Sequence, residues 1–134
     1  MTVKAATSSE VKLGTLSYVI LYVSNTAEAT AFYRDTLGFA VKSEEEGWVE
    51  LETGSTTVAL HHAADLPSKR DERTSLVFGV ERIKPAYEAL KAKGIKFEKE
   101  PQEVCVTPDH VGMSADFKDP YGNNLSIFAM EPKH

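Results

Sequence analysis

The sequence predicts an α+β fold made of two βαβββ modules, and an internal repeat is the main observation behind that prediction. Strand-like runs at 16–23 and 74–80 each precede a helix-like segment that ends at a glycine, Gly38 or Gly94. The two runs close 57 positions apart and the two glycines lie 56 positions apart. A near-constant offset of this kind indicates duplication of one supersecondary unit. Short strand-like stretches follow each helix. We therefore expect a curved eight-stranded mixed sheet around a concave cavity, with the helices outside.

The elements of the first module follow from local signals. Residues 16–23 are rich in β-branched and aromatic residues, which favours a strand. Asn25, with Glu28 three positions later, predicts the start of a helix that runs to about Leu37. Three strands are then expected at 40–44, 48–52 and 56–62, because Gly47 and the run Thr53-Gly54-Ser55 separate them.

The second module repeats this order. A strand at 74–80 precedes a helix at 83–93, whose apolar stripe predicts packing against a sheet. Strands are expected at 96–99, 113–118 and 124–130. The segment 101–111 has no counterpart in the first module, and we expect it to form a loop over one end of the sheet.

The bulk properties bound the possible functions. The chain has 134 residues, a length that predicts one domain, which we expect at 14–134. The first dozen residues are rich in Ser, Thr, Ala and Lys, so we expect a flexible tail at 1–13. Its modules would span about 14–63 and 74–130, joined by a charged link at 64–73. A net charge of −5 argues against nucleic-acid or anionic-membrane partners. We expect neither a membrane span nor a secretory signal, and the single cysteine, Cys105, fits a reducing cytoplasm.

Strand alternation predicts which side chains face the cavity, since neighbouring residues point to opposite faces. Val19, Leu21 and Val23 are uniformly aliphatic and should pack against the helices. Tyr18 and Tyr22 would then face the cavity. The same argument directs Trp48 and Glu50 inward from the third strand, Ala59 and His61 from the fourth, and Ser75 from the fifth.

Two local sequences carry a resemblance to a known family. The run Phe32-Tyr33-Arg34-Asp35-Thr36-Leu37-Gly38-Phe39 and the turn Asp119-Pro120-Tyr121-Gly122-Asn123 resemble the vicinal oxygen chelate superfamily. That superfamily includes glyoxalases, extradiol dioxygenases, fosfomycin-resistance enzymes and bleomycin-binding proteins. The resemblance covers about residues 16–130. It implies paired βαβββ modules and a homodimer, and in metal-binding members histidine and glutamate side chains converge from four strands.

The resemblance places the four metal corners at Tyr18, Ala59, Ser75 and Ser126. Ala59 has no donor atom, and neutral hydroxyls rarely hold transition metals without imidazole or carboxylate ligands. We therefore expect no metal and no other cofactor. One replacement stays open: His61, His110 and Glu50 would form an unorthodox site if the predicted loop closed over the cavity. The alternative is that both histidines lie at the surface and Glu50 is solvated.

These observations favour a small-molecule-binding protein, similar to the bleomycin-resistance branch, that sequesters an antibiotic or a metabolite. The expected ligand-binding residues combine aromatic rings with a few polar groups: Tyr18, Tyr22, Trp48, Glu50, Ala59, His61, Ser75 and Ser126. The alternative is an enzyme, a glyoxalase-type lyase or isomerase or a dioxygenase relative. It would be metal-free, with Glu50 or His61 as base, or would use the unorthodox site. The expected assembly is a homodimer.

Overall fold

A computed structural model describes residues 16–66 and 74–133, which form two βαβββ modules. The first contains β1 (Tyr18–Val23), α1 (Thr26–Ala31) with a π-helical segment (Phe32–Thr36), β2 (Ala40–Glu45), β3 (Trp48–Glu52) and β4 (Thr57–His62). The second contains β5 (Leu76–Gly79), α2 (Ile83–Ala92), β6 (Lys99–Val106), β7 (His110–Lys118) and β8 (Asn124–Pro132). The expected tail at 1–13 and part of the expected link, 67–73, lie outside the described residues.

The strands form two four-stranded mixed sheets with the same order. Sheet A runs β1-β4-β3-β2 and sheet B runs β5-β8-β7-β6. In each sheet the first and last strands of the module pair in parallel, and the other pairs are antiparallel. Ile20 lies opposite Ala59, and Val77 occupies the equivalent place opposite Ser126. The α+β class and the repeat are confirmed, with the eight strands divided into two sheets that do not close on each other.

One face of each sheet packs against a helix, and we call the other the open face. Leu21, Val23, Val49 and Leu51 are buried, whereas the residues that alternate with them on β1 and β3 are exposed or half-buried. The predicted assignment of faces is therefore correct. The buried side chains of both modules form one hydrophobic cluster, so the two modules share a core.

The first helix begins as predicted and ends differently. Asn25 caps it, with its side-chain oxygen accepting a hydrogen bond from the Glu28 amide at 2.9 Å. The last turn widens into a π-helical segment that places Tyr33 in the core, fully buried. Gly38 then stops the helix with a left-handed φ of 90°, a conformation that glycine adopts without steric cost.

The prediction of a loop at 101–111 is wrong. Residues Lys99–Val106 form β6, which pairs with β7, and only Thr107 to Asp109 lie between the two strands. β6 is the outer strand of sheet B, and almost all of its residues are exposed, so it lacks the alternation of a half-buried strand. Two register shifts disturb the pattern further.

The turn between β7 and β8 attaches the second module to the first. The buried carboxylate of Asp119 accepts four hydrogen bonds of 2.8 Å, from the Tyr33 hydroxyl, the Tyr121 amide, the Asn123 amide and the Asn123 side chain. Burial and the Asp119 carboxylate raise the pKa of Tyr33 far above that of an ordinary tyrosine. Asp119 therefore has a structural role.

Candidate functional site

The open face of sheet A carries a cluster of aromatic side chains around one carboxylate. The indole Nε1 of Trp48 donates to Glu50 Oε2 at 2.9 Å, and the Tyr18 hydroxyl lies 3.5 Å from the same oxygen. The Tyr18 and Trp48 rings are tilted, with centroids 6.0 Å apart. The hydrogen bond from Trp48 thus holds the Glu50 carboxylate on the sheet surface, with the Tyr18 hydroxyl close to it.

His61 and Tyr22 extend the cluster along β4 and β1. The Trp48 ring meets the His61 ring edge to face, with centroids 5.6 Å apart, and Tyr22 lies 5.3 Å from His61 on the other side. Tyr22 and Trp48 are both cross-strand partners of His61. We call Tyr18, Tyr22, Trp48, Glu50 and His61 the aromatic cluster. Sequence alternation predicted all five members correctly as neighbours on one face.

The cluster exposes two of its aromatic side chains to solvent. Tyr18 is 48% exposed and Tyr22 is 44% exposed, and Ile20 between them is exposed as well. Ala59, opposite Ile20 and Glu50, is fully buried beneath its larger neighbours. Aromatic side chains beside a few polar groups are the residue types that commonly line small-molecule sites.

The two serines belong to the second module, and neither is a member of the aromatic cluster. Ser126 is buried and pairs across strands with Val77 and Asp116. Ser75 precedes β5 and lines a crevice of about 210 Å³ between β1 and β5, together with Ile20. The predicted ligand-binding residues therefore divide into a cluster of five on sheet A with Ala59 beneath it, Ser75 at the crevice between β1 and β5, and Ser126 within sheet B.

The four corner residues do not fit a transition metal. The Tyr18 hydroxyl is directed to Glu50, Ala59 offers no donor, and Ser126 is a buried neutral hydroxyl. Imidazole, thiolate or carboxylate ligands are needed for such an ion. No step of a metal-dependent reaction can be derived from these residues, and a metal-free protein remains our prediction.

The unorthodox site is not formed by the part of the chain that the structure describes. His110 is a strand residue at the start of β7, where it pairs with Pro132 and bonds to Thr107, and not a residue of a closing loop. Within 16–66 and 74–133, no three His, Cys, Asp or Glu side chains converge as metal ligands would. The expectation depended on a loop at 101–111, and these residues instead belong to β6 and β7 with a short connection at 107–109.

Sequence reasoning missed one polar residue beside the cluster. Lys42 lies at a register shift in β2 and its ammonium group donates to Thr57 Oγ1 at 3.2 Å. Thr57 is the cross-strand partner of Tyr18. Simple alternation cannot place Lys42 because the β-bulge changes the direction of its side chain.

The fold is that of a paired βαβββ protein of the glyoxalase type, and comparisons with known proteins agree. A family model described as "Glyoxalase/Bleomycin resistance protein/Dioxygenase superfamily" matches residues 15–127. The chain belongs to this superfamily.

Three relatives show the level of similarity. A protein of Bacillus subtilis (strain 168), printed as "Uncharacterized protein YetH", is 27% identical over 112 residues, covering 78% of this chain and 89% of that protein. A crystal structure of a glyoxalase/bleomycin resistance protein/dioxygenase from Nocardioides has a TM-score of 0.73 at 23% identity, over 93% of this chain and 91% of that one. A superfamily member from Sphaerobacter thermophilus DSM 20745 has a TM-score of 0.70 at 22% identity, over 87% and 98%. At these identities the structures support the fold and not a particular activity.

No helix among the described residues is long and apolar enough to cross a membrane.

Proposed function

We propose that the protein binds a flat, positively charged small molecule on the aromatic cluster and holds it without converting it. The observation that carries this proposal is the arrangement of Trp48, Tyr18 and Glu50. The exposed Tyr18 ring and the half-buried Trp48 ring flank a carboxylate that accepts a hydrogen bond from the indole at 2.9 Å. Aromatic faces and a carboxylate both attract an organic cation.

The energetics support a ligand at this place. Burying apolar surface gains roughly 25 cal/mol per Å². The rings of Tyr18 and Tyr22 stay about half exposed in the free chain, so a flat ligand would remove their apolar area from water. The net charge of −5 adds a general attraction for cations. This proposal agrees with the sequestration that the sequence predicted. It further specifies that the ligand is positively charged.

Trp48 makes a direct test possible because it is the only tryptophan in the chain. Proflavine, a flat tricyclic cation, should quench the Trp48 emission on titration, whereas 9-anthracenecarboxylate, an anion of the same ring number, should bind much more weakly. Glu50→Gln should weaken proflavine binding roughly tenfold, the size of one charge-assisted contact. Mass spectrometry after incubation should recover the probe unchanged.

Glu44→Gln provides the matched control. Glu44 is exposed on β2 and pairs with Val49, so its side chain belongs to the opposite face from Glu50. The Glu44→Gln substitution removes the same charge as Glu50→Gln but lies outside the aromatic cluster. It should leave the affinity for proflavine unchanged. Equal binding of both probes, or an affinity that Glu50→Gln does not alter, would overturn the proposal.

A further inference from the structure

The open face of sheet A carries a positive charge as well as the Glu50 carboxylate. Lys42 belongs to the outer strand β2, and its side chain extends across β3 to β4, where the ammonium group donates to Thr57 Oγ1 at 3.2 Å. Thr57 alternates with the core residue Val58 and is the cross-strand partner of Tyr18, so this contact lies on the open face. An ammonium group and a carboxylate are therefore presented on one surface.

The two charged groups are separated by about the length of a small aromatic molecule. Ala59 is the cross-strand partner of Glu50, and Thr57 lies two residues before Ala59 on β4. Diagonal neighbours of this kind on an antiparallel pair are about 7–8 Å apart. Tyr18 pairs with Thr57 through its backbone, and its hydroxyl lies 3.5 Å from Glu50 Oε2. The exposed Tyr18 side chain therefore extends from the ammonium end of the site toward the carboxylate.

The ammonium group of Lys42 has the capacity for a further partner. A lysine ammonium has three N–H donors. Among the described residues, the Thr57 hydroxyl is its only side-chain partner, and no ion pair joins it to Glu50 or Glu52, the carboxylates on the same face of β3. Hydrogen bonds between two charged groups are the stronger ones. An anionic group of a bound molecule can therefore accept from Lys42 without displacing Thr57.

We infer that the cation held by the aromatic cluster is a zwitterion, whose anionic group binds Lys42 at about 7–8 Å from its cationic group. Its flat body would pack against the Tyr18 ring, its cationic group would bind Glu50, and its anionic group would accept a hydrogen bond from Lys42. The inference rests on the proposed function, because it adds a second polar contact to the same site. Lys42 is then the residue that distinguishes a zwitterion from a simple cation.

The compounds para-guanidinobenzoate and its methyl ester are matched probes, since both carry the guanidinium group and only the acid carries a negative charge. The indole N–H of Trp48, the only tryptophan, donates to Glu50 at 2.9 Å and gives a single peak in a nitrogen–proton NMR spectrum. The shift of that peak on titration of the full chain measures both affinities. The acid should bind about fivefold more tightly than the ester, which is the upper range for one exposed ion pair.

Lys42→Met removes the positive charge and keeps an unbranched side chain. It should lower the preference for the acid over the ester to less than about twofold, because it weakens binding of the acid and not of the ester. Lys84→Met is the matched control, since Lys84 is exposed on α2 and lies outside the aromatic cluster. It removes the same charge and should leave the preference for the acid unchanged.

The outcomes separate this inference from the proposed function. If the ester binds and the acid binds no more tightly, or if Lys42→Met leaves the preference for the acid in place, the inference is wrong while the proposed cation site stands. If neither probe shifts the Trp48 peak, both the inference and the proposed function are overturned.

Discussion

At the scale of single residues, Asp119 shows how one carboxylate joins two modules. A buried charge is costly unless it is hydrogen-bonded, and Asp119 meets that requirement with four donors. Three of them come from the turn itself, whereas the fourth is the Tyr33 hydroxyl from the first module. Tyr121, in the same turn, donates to Glu28 Oε1 at 2.6 Å and so adds a second connection to α1. The Asp-Pro-Tyr-Gly-Asn sequence therefore stabilises the whole chain and not only its own turn.

Removing the Tyr33 hydroxyl should lower the free energy of unfolding by about 1–3 kcal/mol at neutral pH, because Asp119 keeps its burial and loses one donor. Tyr33→Phe tests this in urea denaturation. Tyr87→Phe is the matched control, since the described contacts of Tyr87 are made by its ring against Phe97 and beneath Lys91. A control as destabilised as Tyr33→Phe would show that the Asp119 contact is not the cause.

The pH dependence of this difference has a definite sign. The pKa of Tyr33 is raised in the folded chain by burial and by Asp119, so the unfolded chain ionises first as the pH rises. The contribution of Tyr33 to the free energy of unfolding is complete below about pH 10, the ordinary tyrosine pKa, and is lost as the pH rises above that value. Tyr33→Phe has no such titration, so the stability gap between the two proteins should narrow above about pH 10. A gap that widens there would contradict the assignment.

At the scale of elements, the outer strand β6 depends on a glycine in its neighbour. A Cβ added at Gly112 of β7 would lie 2.4 Å from Cys105 Sγ, 3.1 Å from a Phe128 ring carbon and 3.2 Å from Met130 Sδ. Cys105 and Met130 are the cross-strand partners of Gly112 on its two sides. Gly112 therefore makes the room in which these side chains meet above the sheet.

Gly112→Ala should destabilise the fold by about 1–3 kcal/mol through overpacking, as thermal unfolding would show. Gly79→Ala is the control, because Gly79 is also a strand glycine of sheet B and a Cβ there meets nothing within 4 Å. We expect Gly79→Ala to be neutral or slightly stabilising. Adding Cys105→Ala to Gly112→Ala should restore part of the loss, and no recovery would show that Cys105 is not the obstructing group.

The elements also show what the sequence can and cannot predict. Half-buried strands such as β1 and β3 alternate clearly, so the facing of Tyr18, Tyr22, Trp48 and Glu50 was predictable. β6 was not, because an exposed edge strand has no buried face to impose alternation. The direction of Lys42 depends on how β2 pairs with β3, and the π-helical segment after α1 carries Tyr33, whose hydroxyl bonds to Asp119 of the second module. Local sequence patterns contain neither of these long-range contacts.

At the scale of the whole molecule, the open faces leave apolar side chains that the isolated chain does not cover. Val77 on sheet B is 59% exposed, and Ile20 and Met130 are also exposed on the open faces. The outer strands β2 and β6 have unpaired edges among the described residues. Exposed apolar area and free sheet edges are commonly covered by symmetric association of two chains.

We therefore predict a homodimer that buries part of the open faces. Light scattering at tens of micromolar should give twice the mass of the chain. Val77→Lys should shift the protein toward monomer, because it places a charge within the apolar area and burying that charge would be costly. Glu88→Lys, a larger charge change on the exposed side of α2, should leave the mass unchanged. A monomer mass for the unmodified protein would contradict the prediction. A dimer that resists Val77→Lys would place the interface at the strand edges instead, leaving the aromatic cluster open to ligand in both chains.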